Sequence, residues 1–295
     1  MRRLAGTRKV GHAGTLDPMA TGVLVLGINK ATRLLTYIVG TSKTYTATIR
    51  LGETTITDDA EGEVTEAHSA ADVTDHAIEA GVAALTGPIQ QVPSSVSAIK
   101  VNGERSYARV RSGEEVKLAA RPVTIHRFDI HAVTRVDGGR VVDVDVTVEC
   151  SSGTYIRALA RDLGNDLGVG GHLTALRRTQ VGPYSIDQAR TLEELAEELE
   201  VLDMSLAARA LMPNRELSDE ETTEISFGRR IAAGPGAGTE DAATAGKPAA
   251  AFAPSGELVA LLADSGAFAK PVLVFAPGTG SGTGSGTDTG AGQAK

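Results

Sequence analysis

Asp17 is the residue of this sequence whose surroundings are best suited to chemistry on a ligand. It lies in the segment GHAGTLDPMATG, residues 11–22, where three glycines and one proline share twelve positions. Glycine permits tight or left-handed turns, and Pro18 biases Asp17, which precedes it, toward an extended backbone. A carboxylate on such a constrained loop can be aimed at a ligand, where it can attack, leave or accept a proton.

Two structural explanations of the same segment compete with the catalytic one. The aspartate could cap the helix that follows a glycine-rich turn, since Asp is a favoured capping residue. The second structural explanation is a phosphate-binding loop, which is excluded because no Gly-Lys-Ser/Thr follows the glycines. Residue types alone therefore leave capping and catalysis both open.

The elements around this segment can be predicted from periodicity. Alternating apolar and polar residues predict half-buried strands at residues 43–51 and 142–148. Apolar residues at helical spacing predict helices after Thr74, carrying Ile78, Val82 and Leu85, and over Tyr155–Leu167, with an acidic amphipathic helix at Leu192–Leu202. Residues 53–64 read as an acidic loop, residues 91–115 as a long functional loop, and residues 257–262 and 271–276 as short strands.

Composition excludes several classes of protein. The 295 residues contain 41% apolar residues, enough for a core, but no apolar run of about 18 residues that could span a membrane. Cys150 is the only cysteine, so a disulfide framework and a cysteine-based zinc site are excluded. No signal peptide is predicted, and we expect a cytoplasmic protein.

Charge is distributed in blocks, although the net charge of −8 is unfavourable for binding a polyanion. Residues 1–50 carry eight Lys or Arg against one acid, residues 51–90 carry nine acids and no Lys or Arg, and residues 98–127 carry seven basic residues against three acidic ones. Binding to nucleic acid depends on local potential rather than on the total. The pattern is compatible with nucleic-acid binding and equally with ordinary surface charge.

Five further segments accompany residues 11–22, in order along residues 7–213. They are KTY at 43–45, TDDAEG at 57–62, PSSVSAIK at 93–100 with YAR at 107–109, CSSGTYIR at 150–157, and GHLTALRR at 171–178. This ordered set resembles the bacterial tRNA pseudouridine-55 synthases of the TruB family. Several independent motifs in one order make a chance resemblance improbable.

The resemblance implies a fold and a domain organisation. We expect an α/β (α+β) catalytic domain at residues 1–213, built on a mixed, mostly antiparallel sheet with the active cleft across its middle. A small β-rich, PUA-like RNA-binding domain is expected at residues 214–277. The Gly/Ser/Thr-rich residues 278–295 cannot bury apolar surface, so a disordered tail is expected there.

The resemblance also implies roles for individual residues. Asp17 would be the family's essential aspartate, Tyr45 would stack on the target uracil and assist proton transfer, and Arg157 would pair with Asp17. The residues implied to bind the substrate are His12, Tyr155, Leu176, Lys100 and Arg109. Among them, His12 is expected to hold the displaced T-loop base, and Leu176 to pack against the uracil.

The implied activity is an isomerisation of uridine 55 in the T-loop of tRNA to pseudouridine. The bond from C1′ to N1 is cut and replaced by a bond from C1′ to C5, so the base must first be flipped out, at a cost of a few kcal/mol. Phosphate contacts from the basic stretches can offset that cost. No step requires a metal ion or an organic cofactor. The sequence leaves open whether Asp17 bonds to C6, bonds to C1′, or moves a proton at C2′.

Two other functions remain open at this level: a non-catalytic tRNA-folding module, and a guide-RNA-dependent pseudouridine synthase. The expected partner is the T-arm of tRNA, bound by a monomer that requires no protein partner. The family normally begins with a strand and a Lys-Pro-x-Gly segment about thirty residues before the Gly-His motif. Because this chain lacks both, we expect its start to have been assigned too late.

Overall fold

The structure is a computed structural model and describes residues 1–94, 100–101, 104–105, 118–234 and 248–275. Contacts divide the chain into two compact units, residues 1–201 and residues 202–295. No helix among the described residues has the length and apolar character needed to cross a membrane. The predicted tail at residues 278–295 and most of the predicted loop at residues 91–115 lie outside the described residues.

The strands of the first unit are short at its beginning and long at its centre. They are β1 Val10–His12, β2 Thr21–Gly22, β3 Leu26–Ile28, β4 Lys43–Leu51, β5 Glu53–Thr55, β6 Val64–Ala67, β7 Gly87–Gln91, β8 Lys100–Val101, β9 Glu104–Arg105, β10 Arg121–Val136, β11 Val141–Cys150, β12 Gly171–Val181 and β13 Tyr184–Ser185. Those of the second unit are β14 Asn214–Glu216, β15 Ile231–Ala232, β16 Ala249–Phe252, β17 Leu258–Ser265 and β18 Phe268–Val274.

The helices are few and short by comparison. The α-helices of the described residues are α1 Leu35–Val39, α2 Asp75–Ala84, α3 Ile156–Asp166, α4 Leu192–Glu197, α5 Met204–Leu211 and α6 Asp219–Ser226. Short 3-10 helices cover Asn29–Arg33, Asp137–Gly139 and Ile186–Gln188.

The main sheet of the first unit has β4 near its centre. Its strand order is β13-β12-β4-β11-β10-β7, all antiparallel, with β2 added parallel to β12. The second unit has a five-stranded sheet in the order β14-β16-β17-β18-β15, in which only the β14–β16 pair is parallel. The predicted mixed, mostly antiparallel α/β fold is confirmed.

The main core lies on one face of the β4 sheet. The buried residues Ala47, Ile49 and Leu51 of β4 alternate with polar ones, as predicted, because successive strand residues point to opposite faces. All four valines at 142, 144, 146 and 148 of β11 are buried in the same way. Helices α2 and α3 cover this face, and Thr74 caps α2 through a hydrogen bond from the Ala77 amide. The predictions for both strands and both helices are confirmed.

Two local predictions were wrong. The acidic helix ends at Glu197 rather than Leu202, and none of its residues is buried. Five glutamates between positions 193 and 200 repel one another, and packing does not offset this, since Leu192, Leu199 and Leu202 are all exposed. Residues 53–64 are not wholly a loop, because Glu53–Thr55 forms a hairpin with Val64–Ala67.

Cys150 ends β11 inside this core and is 1% exposed, so it packs as a small apolar residue. Burial raises the pKa of its thiol from the ordinary 9.0 to about 11. In this range the unfolded chain loses the thiol proton first, so the free energy of unfolding falls as pH rises from 9 to 11.

We predict that Cys150→Ala flattens the alkaline dependence of stability. Each pKa unit corresponds to roughly 1.4 kcal/mol. The buried thiol therefore lowers the free energy of unfolding of the wild type by up to about 3 kcal/mol as pH rises from 9 to 11. Urea unfolding of both proteins at half-unit pH steps measures this difference. Parallel curves for the two proteins would show that the thiol does not contribute.

Candidate active site

Asp17 and Arg157 form a two-pronged ion pair. Arg157 donates from Nε to Oδ2 of Asp17 at 3.1 Å and from Nη2 to Oδ1 at 3.0 Å. The arginine side chain is 5% exposed, whereas the Asp17 side chain is 36% exposed. Such bidentate pairing fixes the plane of a carboxylate. The pair therefore holds Asp17 in one orientation while part of its carboxylate faces solvent.

A second carboxylate shares the same guanidinium. Nη1 of Arg157 lies 3.3 Å from Oδ2 of Asp59, which is 2% exposed, and donates to the Thr57 carbonyl at 2.8 Å. Asp59 also accepts bonds from the Thr57 hydroxyl and the Glu61 amide. A buried cation needs such partners to offset its lost hydration. Asp59 is thus the buried counterpart of the partly exposed Asp17.

The backbone places Arg157 in the first turn of α3, directly after the turn that follows β11. Tyr155 precedes this helix as its N-cap, and Gln91 fixes its peptide group by a reciprocal pair of bonds. The Gln91 amide nitrogen donates to the Tyr155 carbonyl at 3.0 Å, and the Tyr155 amide donates to the Gln91 oxygen at 2.8 Å. Since Gln91 is 2% exposed, the start of α3 is anchored within the sheet.

The loop that carries Asp17 closes on itself and on β12. The Ala20 amide donates to the Asp17 carbonyl at 2.9 Å, which forms a turn over Pro18. Gly22 has a φ of +100°, and a Cβ there would lie 2.1 Å from the Arg178 carbonyl oxygen. Only glycine fits this close approach. The glycine predicted to permit a special turn therefore joins the loop to the sheet.

Tyr45 and Leu176 lie on the neighbouring strands β4 and β12. Both belong to one apolar cluster with Met19 and Ala20 from the Asp17 loop. Leu176 is 6% exposed, and Tyr45 is half-buried. Burial raises the pKa of the Tyr45 hydroxyl, the charge of Arg178 opposes this, and the charge of Asp17 adds to it. Tyr45 is therefore a neutral phenol at neutral pH.

The acidic segment at residues 57–62 is joined to α3 by a second arginine. Arg161 contacts Asp58 at 3.4 Å and donates to the Val92 carbonyl at 2.7 Å. Burial raises the pKa of Asp58, and the hydrogen bond to Ser94 and the charges of Arg161 and Arg157 oppose that shift. These contacts fix both the segment that carries Asp59 and the residues directly after β7.

The structure brings together some of the predicted site residues and not others. Asp17 and Arg157 are in direct contact, Tyr45 and Leu176 share a cluster, and Tyr155 lies two residues before Arg157 at the start of α3. His12 is exposed at the end of β1. Lys100 lies in β8 without a described side chain, and Arg109 is outside the described residues.

One basic residue of the stretch at residues 1–50 is not available to a nucleic acid. Lys43 is 8% exposed and donates to the carbonyls of Val39 and Thr41, each at 2.6 Å. Burial lowers its pKa. An ammonium group committed to main-chain carbonyls inside the protein cannot reach a phosphate, so Lys43 is a structural residue.

Three residues escaped the sequence predictions as members of the site: Asp59, Gln91 and Arg178. For Arg178 a signal was present, because Leu176, Arg177 and Arg178 alternate buried, exposed and buried along β12. A residue two positions after a core leucine on a strand faces the core. No comparable signal existed for Asp59, one of three acids within five residues, or for Gln91.

We predict that Arg157→Gln destabilises the protein by about 3–5 kcal/mol, because it leaves the buried Asp59 carboxylate without its cation. The double variant Arg157→Gln/Asp59→Asn should regain part of this loss, as the uncompensated charge is gone. Arg161→Ala is the matched control, since it lies one helical turn further along α3 and is more exposed. Chemical unfolding of all four proteins provides the measurement, and a double variant no more stable than Arg157→Gln would contradict this account.

The sequence and the fold were compared with known proteins. Residues 2–156 match the family model described as "TruB family pseudouridylate synthase (N terminal domain)". Residues 157–216 match "tRNA pseudouridylate synthase B C-terminal domain", and residues 212–276 match "tRNA Pseudouridine synthase II, C terminal". These three matches run in order and cover nearly the whole described chain.

Relatives and solved structures agree with these matches. The chain is 92% identical over 279 residues to tRNA pseudouridine synthase B of Paenarthrobacter aurescens (strain TC1), covering 95% of this chain and 90% of that protein. Identity to the protein of the same name from Thermobifida fusca (strain YX) is 55%, covering 94% and 92%. The fold resembles a chain of a Cbf5-Nop10-Gar1 complex with a TM-score of 0.66, at 24% identity and covering 94% and 79%. This chain belongs to the TruB family of pseudouridine synthases.

Proposed function

We propose that this chain converts uridine 55 in the T-loop of tRNA to pseudouridine, with Asp17 as the catalytic carboxylate. The observation that carries the proposal is the asymmetry of the two carboxylates on Arg157. Asp59 is buried and fully engaged, while Asp17 is held by two hydrogen bonds and is still 36% exposed. A structural capping aspartate has no need of a buried, bidentate arginine, whereas a reacting group has to be oriented and accessible.

The surroundings of Asp17 suit a flipped pyrimidine. Tyr45 offers an aromatic face and Leu176 an aliphatic side chain on the adjacent strand, within the same apolar cluster as Met19 of the loop. A base removed from its stack needs such surfaces. The uncharged Tyr45 hydroxyl can donate or accept a hydrogen bond on the base. Each step uses only protein groups and the substrate, because the reaction exchanges one C1′ bond for another without net oxidation.

We predict that Asp17→Asn abolishes pseudouridine formation on an isolated T-arm hairpin while its affinity for the hairpin changes less than about threefold, since the amide keeps the shape but loses the negative charge. Mass spectrometry of the hairpin measures turnover, and fluorescence anisotropy measures binding. Asp145→Asn serves as a control on the same sheet, because Asp145 is exposed and its side chain accepts a hydrogen bond only from the Thr48 hydroxyl among the described residues.

The same assay separates the competing functions. Turnover by the wild type without any other RNA supports a stand-alone enzyme, whereas a guide-dependent enzyme would leave the hairpin unmodified. A folding module without catalytic activity would bind the hairpin and leave its uridine intact. Turnover by the Asn variant at the wild-type rate would remove Asp17 from the mechanism.

We further propose that residues 214–275 form an RNA-binding, PUA-like domain. Two rings on its surface each lie against an arginine, Phe227 with Arg229 at 5.3 Å and Phe268 with Arg230 at 4.0 Å from guanidinium carbon to ring centroid. The Phe227 ring is 71% exposed. Exposed aromatic rings beside arginines are a stacking surface for nucleotides that are not base-paired.

We predict that Phe227→Ala weakens binding of full-length tRNA by about tenfold, because one base–aromatic stack contributes on the order of 1–3 kcal/mol. Leu206→Ala is the control, since it removes an apolar but non-aromatic side chain from the same unit, where Leu206 is 59% exposed against 71% for Phe227. Filter binding at fixed salt concentration measures both. Equal affinities for the two variants would rule this surface out.

A further inference from the structure

Arg178 is the largest fully buried side chain of the described chain, at 2% exposure. It lies in β12, between the exposed Arg177 and the half-buried Thr179. Burying a cation is costly unless hydrogen bonds and opposite charge compensate it. Arg157 has two carboxylates for this purpose, but no carboxylate pairs with Arg178 within the described residues. A charge retained in the interior under these conditions calls for a role beyond packing.

The contacts of Arg178 bracket Asp17. Its Nε donates to the Val23 carbonyl at 2.8 Å, and its Nη1 donates to the Thr15 carbonyl at 3.1 Å. Its own carbonyl accepts a bond from the Val23 amide at 2.8 Å. One residue thus holds the chain both before and after Asp17, through its main chain and its side chain.

Arg178 also faces the other reactive side chain of the proposed site. It is paired directly with Tyr45 across β12 and β4. Directly opposed residues of an antiparallel pair lie on the same face of the sheet. The guanidinium is near enough to the Tyr45 hydroxyl for its charge to act on the phenol and oppose the effect of burial.

One donor nitrogen of this guanidinium is not fully committed, although the guanidinium already lowers the pKa of Tyr45 through a side-chain hydrogen bond as well as through its charge. Nη2 is buried and has no hydrogen-bond partner among the described residues. An unsatisfied buried donor costs free energy comparable to a lost hydrogen bond. A buried donor at this position is explained if a nearby oxygen becomes more negative during turnover and then accepts a hydrogen bond from Nη2. The strand pairing brings the phenol oxygen of Tyr45 alongside as that acceptor.

We infer that Arg178 is a positioning residue that joins the Asp17 loop to Tyr45, fixing their separation and supplying a hydrogen bond to the Tyr45 oxygen while that hydroxyl donates its own hydrogen bond to the base. This inference rests on the proposed function of the same site. Arg178 touches neither the sugar nor the base in this role and acts through the two residues that do. Two consequences follow, one for the loop and one for the tyrosine.

The test compares Arg178→Met, which removes both the charge and the donors, with Arg178→Lys, which keeps a charge. Arg177→Met is the matched control, because Arg177 is the next residue, lies on the opposite face and contacts only the Thr21 hydroxyl by its side chain within the structure. Kinetics on the T-arm hairpin should show kcat reduced about 100-fold in Arg178→Met with KM nearly unchanged, the size expected when a reacting group shifts by about 1 Å. Arg177→Met should keep the wild-type kcat.

Two measurements need no substrate and so remain informative if the proposed function fails. Hydrogen exchange at the Val23 amide should accelerate in Arg178→Met and not in Arg177→Met. Carbon-13 NMR of labelled tyrosine, with Tyr45→Phe for assignment, should show the Tyr45 hydroxyl titrating at higher pH in Arg178→Met and near the wild-type value in Arg178→Lys. If the wild type were inactive on the hairpin but Arg178→Met still showed these two changes, the proposed function would be rejected. The link between the Asp17 loop and Tyr45 would then be retained.

The inference would be overturned if Arg178→Met kept the wild-type kcat, the wild-type hydrogen-exchange rate at the Val23 amide and the wild-type titration of the Tyr45 hydroxyl. If that variant does not fold, Arg178→Lys decides the question. A folded lysine variant with reduced kcat, faster exchange at Val23 and an unchanged Tyr45 titration supports a positioning role. The same variant with wild-type kcat and exchange overturns it.

Discussion

The buried guanidinium of Arg157 is the interaction on which the site depends. It is held between a carboxylate that faces the interior and one that faces outward, so the same cation stabilises the structure and orients the Asp17 carboxylate. An arginine suits this position because its planar, forked donors can serve several acceptors at once, which a lysine ammonium group cannot do with fixed geometry. Removal of Arg157 leaves the buried Asp59 carboxylate without its cation, whereas removal of either carboxylate leaves the guanidinium paired with the other.

The central sheet brings the other side chains of the candidate site next to this ion pair. β4 lies between β12 and β11, so the side chains of Tyr45, Leu176 and Arg178 converge on one face from adjacent strands. Helix α3 follows β11 after a short turn and brings Arg157 to the same place. Short loops on a rigid sheet hold such groups with less conformational freedom than long loops could, and that restraint is what a reaction with strict geometry requires.

The acidic net charge of the chain does not conflict with RNA as a substrate. Its carboxylates are used in three ways: some pair with buried arginines, as Asp59 does, some lie on exposed helices such as α4, and Asp17 is presented at the surface. Cations are likewise divided, since Lys43 and Arg178 serve main-chain carbonyls inside the protein. Net charge counted along the sequence therefore does not report the local potential that a polyanion meets at the surface.

The sequence by itself determined the local elements and the position of the constrained loop that carries Asp17. Alternation fixed the faces of β4 and β11, a threonine cap fixed the start of α2, and the glycines and proline around Asp17 marked a constrained turn, because these are effects of neighbouring residues. Ordered motifs then identified the family. Tertiary structure alone decided that Asp59 shares Arg157, that Arg178 bridges the loop and Tyr45, and that the acidic helix stops at Glu197. These outcomes depend on which distant segment covers a side chain, and periodicity reports the face a residue occupies without naming the partner that meets it.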